Sequence, residues 1–309
     1  MNPSPHHPLP LLHVEWEITH RCNACCLHCY SDSGPRASSS NELSTLEAGG
    51  ILSQLAMARV PLVTLSGGEP LLREDWRELA KAAVNLGIGI NLTTNGALVT
   101  ETAADEIAGL GVASVTVSLD SHLPTVHDRI RQWPGLFDLA IEGIDRLVGR
   151  GVRVLIGFTP NRLNRGGARP LLQLAGDLGA AAVSVSEFVV AGRAPLWLAL
   201  SGPELRAALE EWTVLRATSK EAKVVLQDFR ADVPAQFPKT RLIEGCGAGS
   251  LFIRILPDGS VTACSFLTSP SYSLREEPLS EILAKLASEL PGPPSGFCVD
   301  CEQRSACSV

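Results

Sequence analysis

The sequence predicts an α/β fold: a partial, open (β/α)6 TIM-like barrel followed by a small C-terminal unit made of a β-hairpin and a helix. Three observations predict it. Short apolar runs alternate with helix-length segments six times between residues 11 and 193, the pattern of a parallel sheet with crossover helices. Each apolar run ends in small or polar residues, at the strand end where such folds collect their chemistry. Past residue 200 the cycle stops, and Pro257-Asp258-Gly259 separates two short strand-like runs. Six units are fewer than the eight that close a barrel, so the sheet is expected to stay open.

The elements follow in order. Residues 1–10, with Pro3, Pro5, Pro8 and Pro10, read as an irregular lead-in. Residues 11–20 form the first strand, which delivers a cysteine-rich loop. Ser44 and Glu47 make a capping box that opens a helix to about residue 59; Pro61 ends it. The strand 62–65 stops at Ser66-Gly67-Gly68-Glu69-Pro70. Asp75, with Glu78 three residues on, starts the helix 75–86, and the strand 89–93 ends in Thr94-Asn95-Gly96. Helix 100–110 precedes strand 114–119, helix 136–148 precedes strand 153–158, and helix 168–178 precedes strand 182–189. Pro203 suits the first turn of a helix over 201–215. Residues 217–245 carry no clear pattern. The hairpin spans 252–256 and 261–265, and an amphipathic helix spans 279–290. The expected units are a lead-in (1–10), the barrel (11–197) and the C-terminal unit (198–309).

Composition narrows the function. An apolar fraction of 45% supports a large core, and a net charge of -7 in 309 residues argues against a nucleic-acid backbone as partner. No apolar run reaches the length of a membrane span, and the N-terminus lacks the character of a signal peptide. Nine cysteines without an export signal read as metal ligands in a reducing compartment, the cytoplasm.

Cys22, Cys26 and Cys29 stand as C-x3-C-x2-C directly after the first strand. Three thiolates on one loop can hold three irons of a cubane and leave the fourth open. A zinc knuckle is the competing reading, although it needs a fourth ligand. Cys25 offers a reversed register and is taken as a spacer that serves packing. Gly67 and Gly68 after the second strand can admit a ligand close to the backbone, with Glu69 as acceptor; a loop that only turns the chain is the alternative.

Taken together, Cys22-x3-Cys26-x2-Cys29 and Ser66-Gly67-Gly68-Glu69-Pro70 resemble the radical S-adenosylmethionine enzymes over residues 11–195. The resemblance implies a [4Fe-4S] cluster on the three cysteines, with the open iron chelated by the amine and carboxylate of S-adenosyl-L-methionine. Reductive cleavage then gives a 5′-deoxyadenosyl radical that takes a hydrogen atom from substrate. It implies that Gly67, Gly68 and Glu69 bind the methionyl amine, and that Thr94, Asn95, Ser118, Asp120, Asn161 and Arg193 face the cofactor. An electron donor such as flavodoxin or ferredoxin is implied as well.

Cys246, Cys264, Cys298, Cys301 and Cys307 resemble a truncated SPASM or twitch extension of the same family. Five thiols cannot fill two four-cysteine sites, so one auxiliary [4Fe-4S] cluster is expected, most simply on Cys246, Cys264, Cys298 and Cys301. A zinc ribbon competes with it. Cys307, or another C-terminal cysteine, is then a candidate hydrogen-atom donor or a spare ligand. The histidines have no metal spacing, the segment around His127-Asp128-Arg129 reads as structural, and Trp197 and Trp212 read as core or cleft residues. The expected activity is radical modification of a ribosomally made peptide by cross-linking, epimerisation or oxidation. Modification of a small molecule, a tetrapyrrole side chain or a sugar, is the alternative. A non-catalytic iron–sulfur or zinc protein is the alternative from outside enzymology. Only about ten residues precede the first strand, which leaves no room there for a domain that binds a peptide leader.

Overall fold

All six expected strands form: β1 (His13–Thr19), β2 (Leu62–Gly67), β3 (Gly89–Thr94), β4 (Ser114–Ser118), β5 (Val154–Phe158) and β6 (Ala182–Ser186). The computed structural model that shows them describes residues 11–227, 248–265 and 267–289. Each strand pairs in parallel with the next. The helices between them are α1 (Thr45–Met57), α2 (Trp76–Asn85), α3 (Glu101–Leu110), α4 (Pro124–Arg131), α5 (Leu136–Gly149) and α6 (Ala168–Asp177). Ser44 and Glu47 close their capping box on α1. Asp75, by contrast, gives α2 no side-chain cap; its carboxylate is taken by Arg73 and Thr45.

The chain continues with α7 (Gly202–Thr218), β7 (Lys223–Gln227), β8 (Phe252–Ile255), β9 (Ser260–Thr262), β10 (Ser271–Ser273) and α8 (Leu279–Glu289). Strands β7 and β10 and helix α4 were not anticipated. β10 has only three residues and α4 only eight, too few for periodicity to be legible, while β7 lies in the stretch that carried no clear pattern. β7 pairs in parallel with β6, and β8 with β1. One ten-stranded sheet results, ordered β10-β9-β8-β1-β2-β3-β4-β5-β6-β7. Residues from beyond position 198 therefore lie at both of its edges. The two edge strands do not pair with each other among the described residues, and the barrel stays open as expected.

Strand parity divides the two faces. Val14, Trp16, Ile18, Val63, Leu65, Ile90 and Leu92 point outward into the apolar core beneath the helices. The alternate residues, among them His13, Glu15, Thr64, Ser66, Asn91 and Thr93, line a cavity on the concave side. A parallel sheet covered on both faces reads as continuous apolar runs; these strands alternate because their inner face meets a polar space.

The C-terminal hairpin is fastened to β1 by charge as well as by backbone pairing. Arg254 on β8 reaches Glu17 on β1 at 2.6 Å, with both side chains buried. Removing one partner of a buried pair strands the other in a low dielectric. Arg254→Ala should therefore cost about 3–5 kcal/mol in urea unfolding of the metal-free protein. The double variant Glu17→Leu/Arg254→Met should recover most of that loss.

Candidate active site

The close approach of two loops builds the mouth of the cavity. The amide of Gly68 donates to the Thr19 carbonyl at 2.8 Å, and that of Glu69 to the Arg21 carbonyl at 2.9 Å. Gly67 has φ +130°, and a Cβ there would stand 2.3 Å from the Thr19 oxygen; on Gly68 it would stand 2.2 Å from the Arg21 oxygen. No side chain fits at either place. The glycines were expected to admit a ligand; both line the cavity, and the chain's own backbone also approaches them, one step ahead of Cys22.

Glu69 is fully buried. Its Oε1 accepts from the Thr94 hydroxyl at 2.8 Å, and its Oε2 from the Asn95 amide at 2.8 Å. The Asn95 side chain donates onward to Asn23 Oδ1 at 2.7 Å. Glu69, Thr94 and Asn95 thus join the ends of β2 and β3 to the cysteine loop. Burial pushes the Glu69 carboxyl up to about 7, and it forms no ion pair with a described residue.

Cys22 and Cys26 are buried and Cys29 half-buried, and all three line the cavity. Cys25 is exposed and does not line it. It was expected to be a spacer that serves packing, and its Sγ stands 3.8 Å from where a Cβ on Gly34 would be. Arg193 clasps the loop: its Nε donates to the Cys26 carbonyl (3.1 Å), Nη2 to the Ser33 carbonyl (2.6 Å), and Nη1 pairs with Asp32 (2.7 Å). Its own amide donates to the Cys29 carbonyl. Gly192 sits at φ +56°, and a Cβ there would stand 2.4 Å from the Tyr30 oxygen.

The cavity measures about 520 Å³. Of the expected cofactor-facing residues, Gly67, Gly68, Thr94, Asn95, Ser118 and Arg193 line it. Glu69, Asp120 and Asn161 do not; they sit behind its wall, fully buried. Asn161 makes a local turn, its Oδ1 accepting from the Leu163 amide. Asp120 is bound to Arg131 at 2.6 Å. Trp212 is core, packed on Phe158 at 5.3 Å between ring centroids, and Trp197 is exposed. Asp128 caps the start of α5 through the amides of Gly135 and Phe137. Cys246, Cys298, Cys301 and Cys307 lie outside the described residues; Cys264 is half-buried at the end of β9, next to Ser265 on the cavity wall.

Sequence reasoning missed the inner ring of His13, Glu15, Thr64, Ser66 and Asn91, although period-two alternation in β1, β2 and β3 displays it. It also missed Arg131, whose Nη1 reaches Cys26 Sγ at 3.7 Å.

The residues fit a three-cysteine cluster. Burial pushes the Cys22 thiol up to about 12 and raises that of Cys26, so these groups become thiolates only beside added positive charge, which iron supplies. Glu69 stands behind the wall with both oxygens engaged by Thr94 and Asn95, so it shapes the mouth by holding the loops together.

Two outcomes follow from this geometry. Gly68→Ala should displace the cysteine loop, and the variant should retain much less iron than wild type after anaerobic reconstitution, measured with secondary structure unchanged. For Glu69, the folded protein holds its proton more tightly than the unfolded chain, where the pKa is near 4.5. The metal-free protein should therefore lose stability as pH rises from about 4.5 to 7, by on the order of 3 kcal/mol from this group. Subtracting the pH profile of Glu69→Gln from that of wild type isolates the effect.

Comparison with known proteins agrees with the geometry. Residues 16–162 match the family model for the radical SAM superfamily. The chain is 30% identical over 313 residues to an AdoMet-dependent heme synthase of Methanosarcina barkeri, covering 96% of this chain and 89% of that protein. It is 32% identical over 258 residues to the mycofactocin maturase MftC of Mycobacterium tuberculosis, covering 82% of this chain and 64% of that one. Its fold superposes on Streptococcus suis SuiB, solved with S-adenosylmethionine bound, with a TM-score of 0.77 at 18% identity over 97% of this chain and 72% of that chain. No helix among the described residues is long and apolar enough to cross a membrane. The chain belongs to the radical S-adenosylmethionine superfamily.

Proposed function

We propose that this enzyme modifies a C–H position of a ribosomally made peptide. The charge of the cavity carries this reading. Among the described lining residues there is no lysine, and both arginines are already engaged: Arg131 with Asp120, Arg193 with Asp32. Glu15 and Glu187 also stand in the wall. Hydroxyl and amide side chains make up much of the remaining wall, which suits the amide groups of a peptide. Among the described lining residues, a substrate with several carboxylates would find no lysine and no arginine outside an ion pair.

Cys22, Cys26 and Cys29 would hold the cluster, which with bound S-adenosylmethionine supplies one-electron cleavage of the sulfonium and abstraction of a substrate hydrogen atom. Gly67, Gly68, Thr94, Asn95, Ser118 and Arg193 would shape the cofactor's berth, with Glu69 holding the loop and its charge. The apolar core outside the sheet keeps the wall rigid, so that the reacting groups stay in register. Cys264, beside the cavity wall, supports an auxiliary [4Fe-4S] cluster completed by Cys246, Cys298 and Cys301. Cys307 is then left as hydrogen-atom donor or spare ligand, and a flavodoxin or ferredoxin would supply the electron. Residues 198–309 would form the unit carrying that second cluster.

Modification of a small molecule is the second reading. The likeness to the heme synthase, which extends over nearly the whole of both chains, favours it.

Anaerobic reconstitution should give about eight irons per chain, and about four after Cys22, Cys26 and Cys29 are replaced together. Reduction with S-adenosylmethionine should yield 5′-deoxyadenosine in wild type alone. With iron coproporphyrin III as trial substrate, the porphyrin's mass should stay unchanged. A porphyrin that loses side-chain carboxylates would replace the peptide reading with the second one.

A further inference from the structure

Arg131 belongs to no part of the cofactor berth described so far, yet it touches a cluster ligand. It ends α4, the helix that follows β4. Its Nε donates to Asp120 Oδ2 at 2.6 Å, and its Nη1 lies 3.7 Å from Cys26 Sγ. Both the guanidinium and the carboxylate are withdrawn from solvent, with side-chain exposures of 11% and 1%. His28, two residues after Cys26, brings its Nε2 to 3.5 Å from the other oxygen of Asp120. The same oxygen accepts no hydrogen bond, so Asp120 is turned mainly toward Arg131.

The placement is fixed from both sides. The Leu27 amide, next to Cys26, donates to the Ile130 carbonyl at 2.8 Å, which locks the cysteine loop onto the residue before Arg131. On the other flank the Asp120 amide donates to His127 Nδ1, tying the end of β4 to α4. Burial pushes the Asp120 carboxyl up, but the Arg131 guanidinium beside it outweighs this and holds it well below the usual carboxylate range. The pair is therefore ionised and rigid, with its positive end aimed at one sulfur.

We propose that Arg131 is a positioning residue that raises the reduction potential of the cluster by donating an N–H to the Cys26 sulfur, with Asp120 setting its aim. The physical ground is general: reduction adds negative charge to a cluster, and hydrogen bonds to the ligand sulfurs stabilise it. A charged donor does so more strongly than a neutral one. The proposal rests on Cys22, Cys26 and Cys29 holding the cluster, and the experiment separates the two.

The experiment is an EPR-monitored redox titration of the full-length, reconstituted enzyme. It follows the signal that disappears when Cys22, Cys26 and Cys29 are replaced together; absence of any such signal would overturn the cluster assignment itself. Arg131→Met, at wild-type iron content, should move the midpoint to more negative potential. Arg131→Lys, which keeps the charge but loses the planar fork, should fall between the two. Asp120→Asn, which leaves the guanidinium uncompensated, should move it the other way. If Arg131→Met loses iron, the lysine variant decides by the same criterion. A midpoint equal to wild type in the variants that keep their iron would overturn the proposal. A weakened affinity for S-adenosylmethionine at unchanged potential would do so too, and would make Arg131 a partner of the cofactor's carboxylate.

Discussion

The carbonyl groups of Thr19 and Arg21 each receive an amide from the loop after β2, and the mouth of the cavity depends on that approach. Two backbones this close exclude every side chain but hydrogen, which is why Gly67 and Gly68 are adjacent. The clamp places the loop carrying Cys22 over the end of β2, and Glu69 extends it to β3 through Thr94 and Asn95. Arg193 then closes the loop from the far side of the barrel. A short loop with few apolar contacts is ordinarily the first part of a protein to open. Here backbone hydrogen bonds and buried charge hold it, together with a small apolar cluster of Ala24, Leu136, Trp133 and Leu139 around the cysteines.

Much of this was legible in the residues, and the limits have physical causes. Strand order and the cysteine register follow from local signals: period, capping and spacing. Position at a strand end is local information as well, and it brought Ser118, Thr94 and Asn95 correctly to the cavity wall. It does not reveal which way a side chain turns. Asp120 was expected to face the cofactor, yet Arg131 draws its carboxylate behind the wall. Arg193 lies 167 positions from the carbonyl it binds, and Arg131 is 105 from Cys26; no spacing rule reaches so far. β7 escaped notice because the edge of an existing sheet, and not its own pattern, makes it a strand.

The charge balance of the site is also distinctive. Among the described residues, ion pairs engage both arginines that line the cavity, while Glu15 and Glu187 stand in its wall. Such an interior attracts positive charge, and a sulfonium ion carries one.

The parity of the strands has a consequence for how such a protein can change. Val14, Trp16 and Ile18 carry the fold, while His13 and Glu15, their immediate neighbours in sequence, carry none of its apolar core. Support and chemistry thus occupy alternate positions of one strand. Inner positions can be exchanged for other polar or small residues with little loss of stability, because no core contact is spent. The scaffold is in this sense a rack with interchangeable pegs: a new substrate calls for new inner side chains, not a new fold.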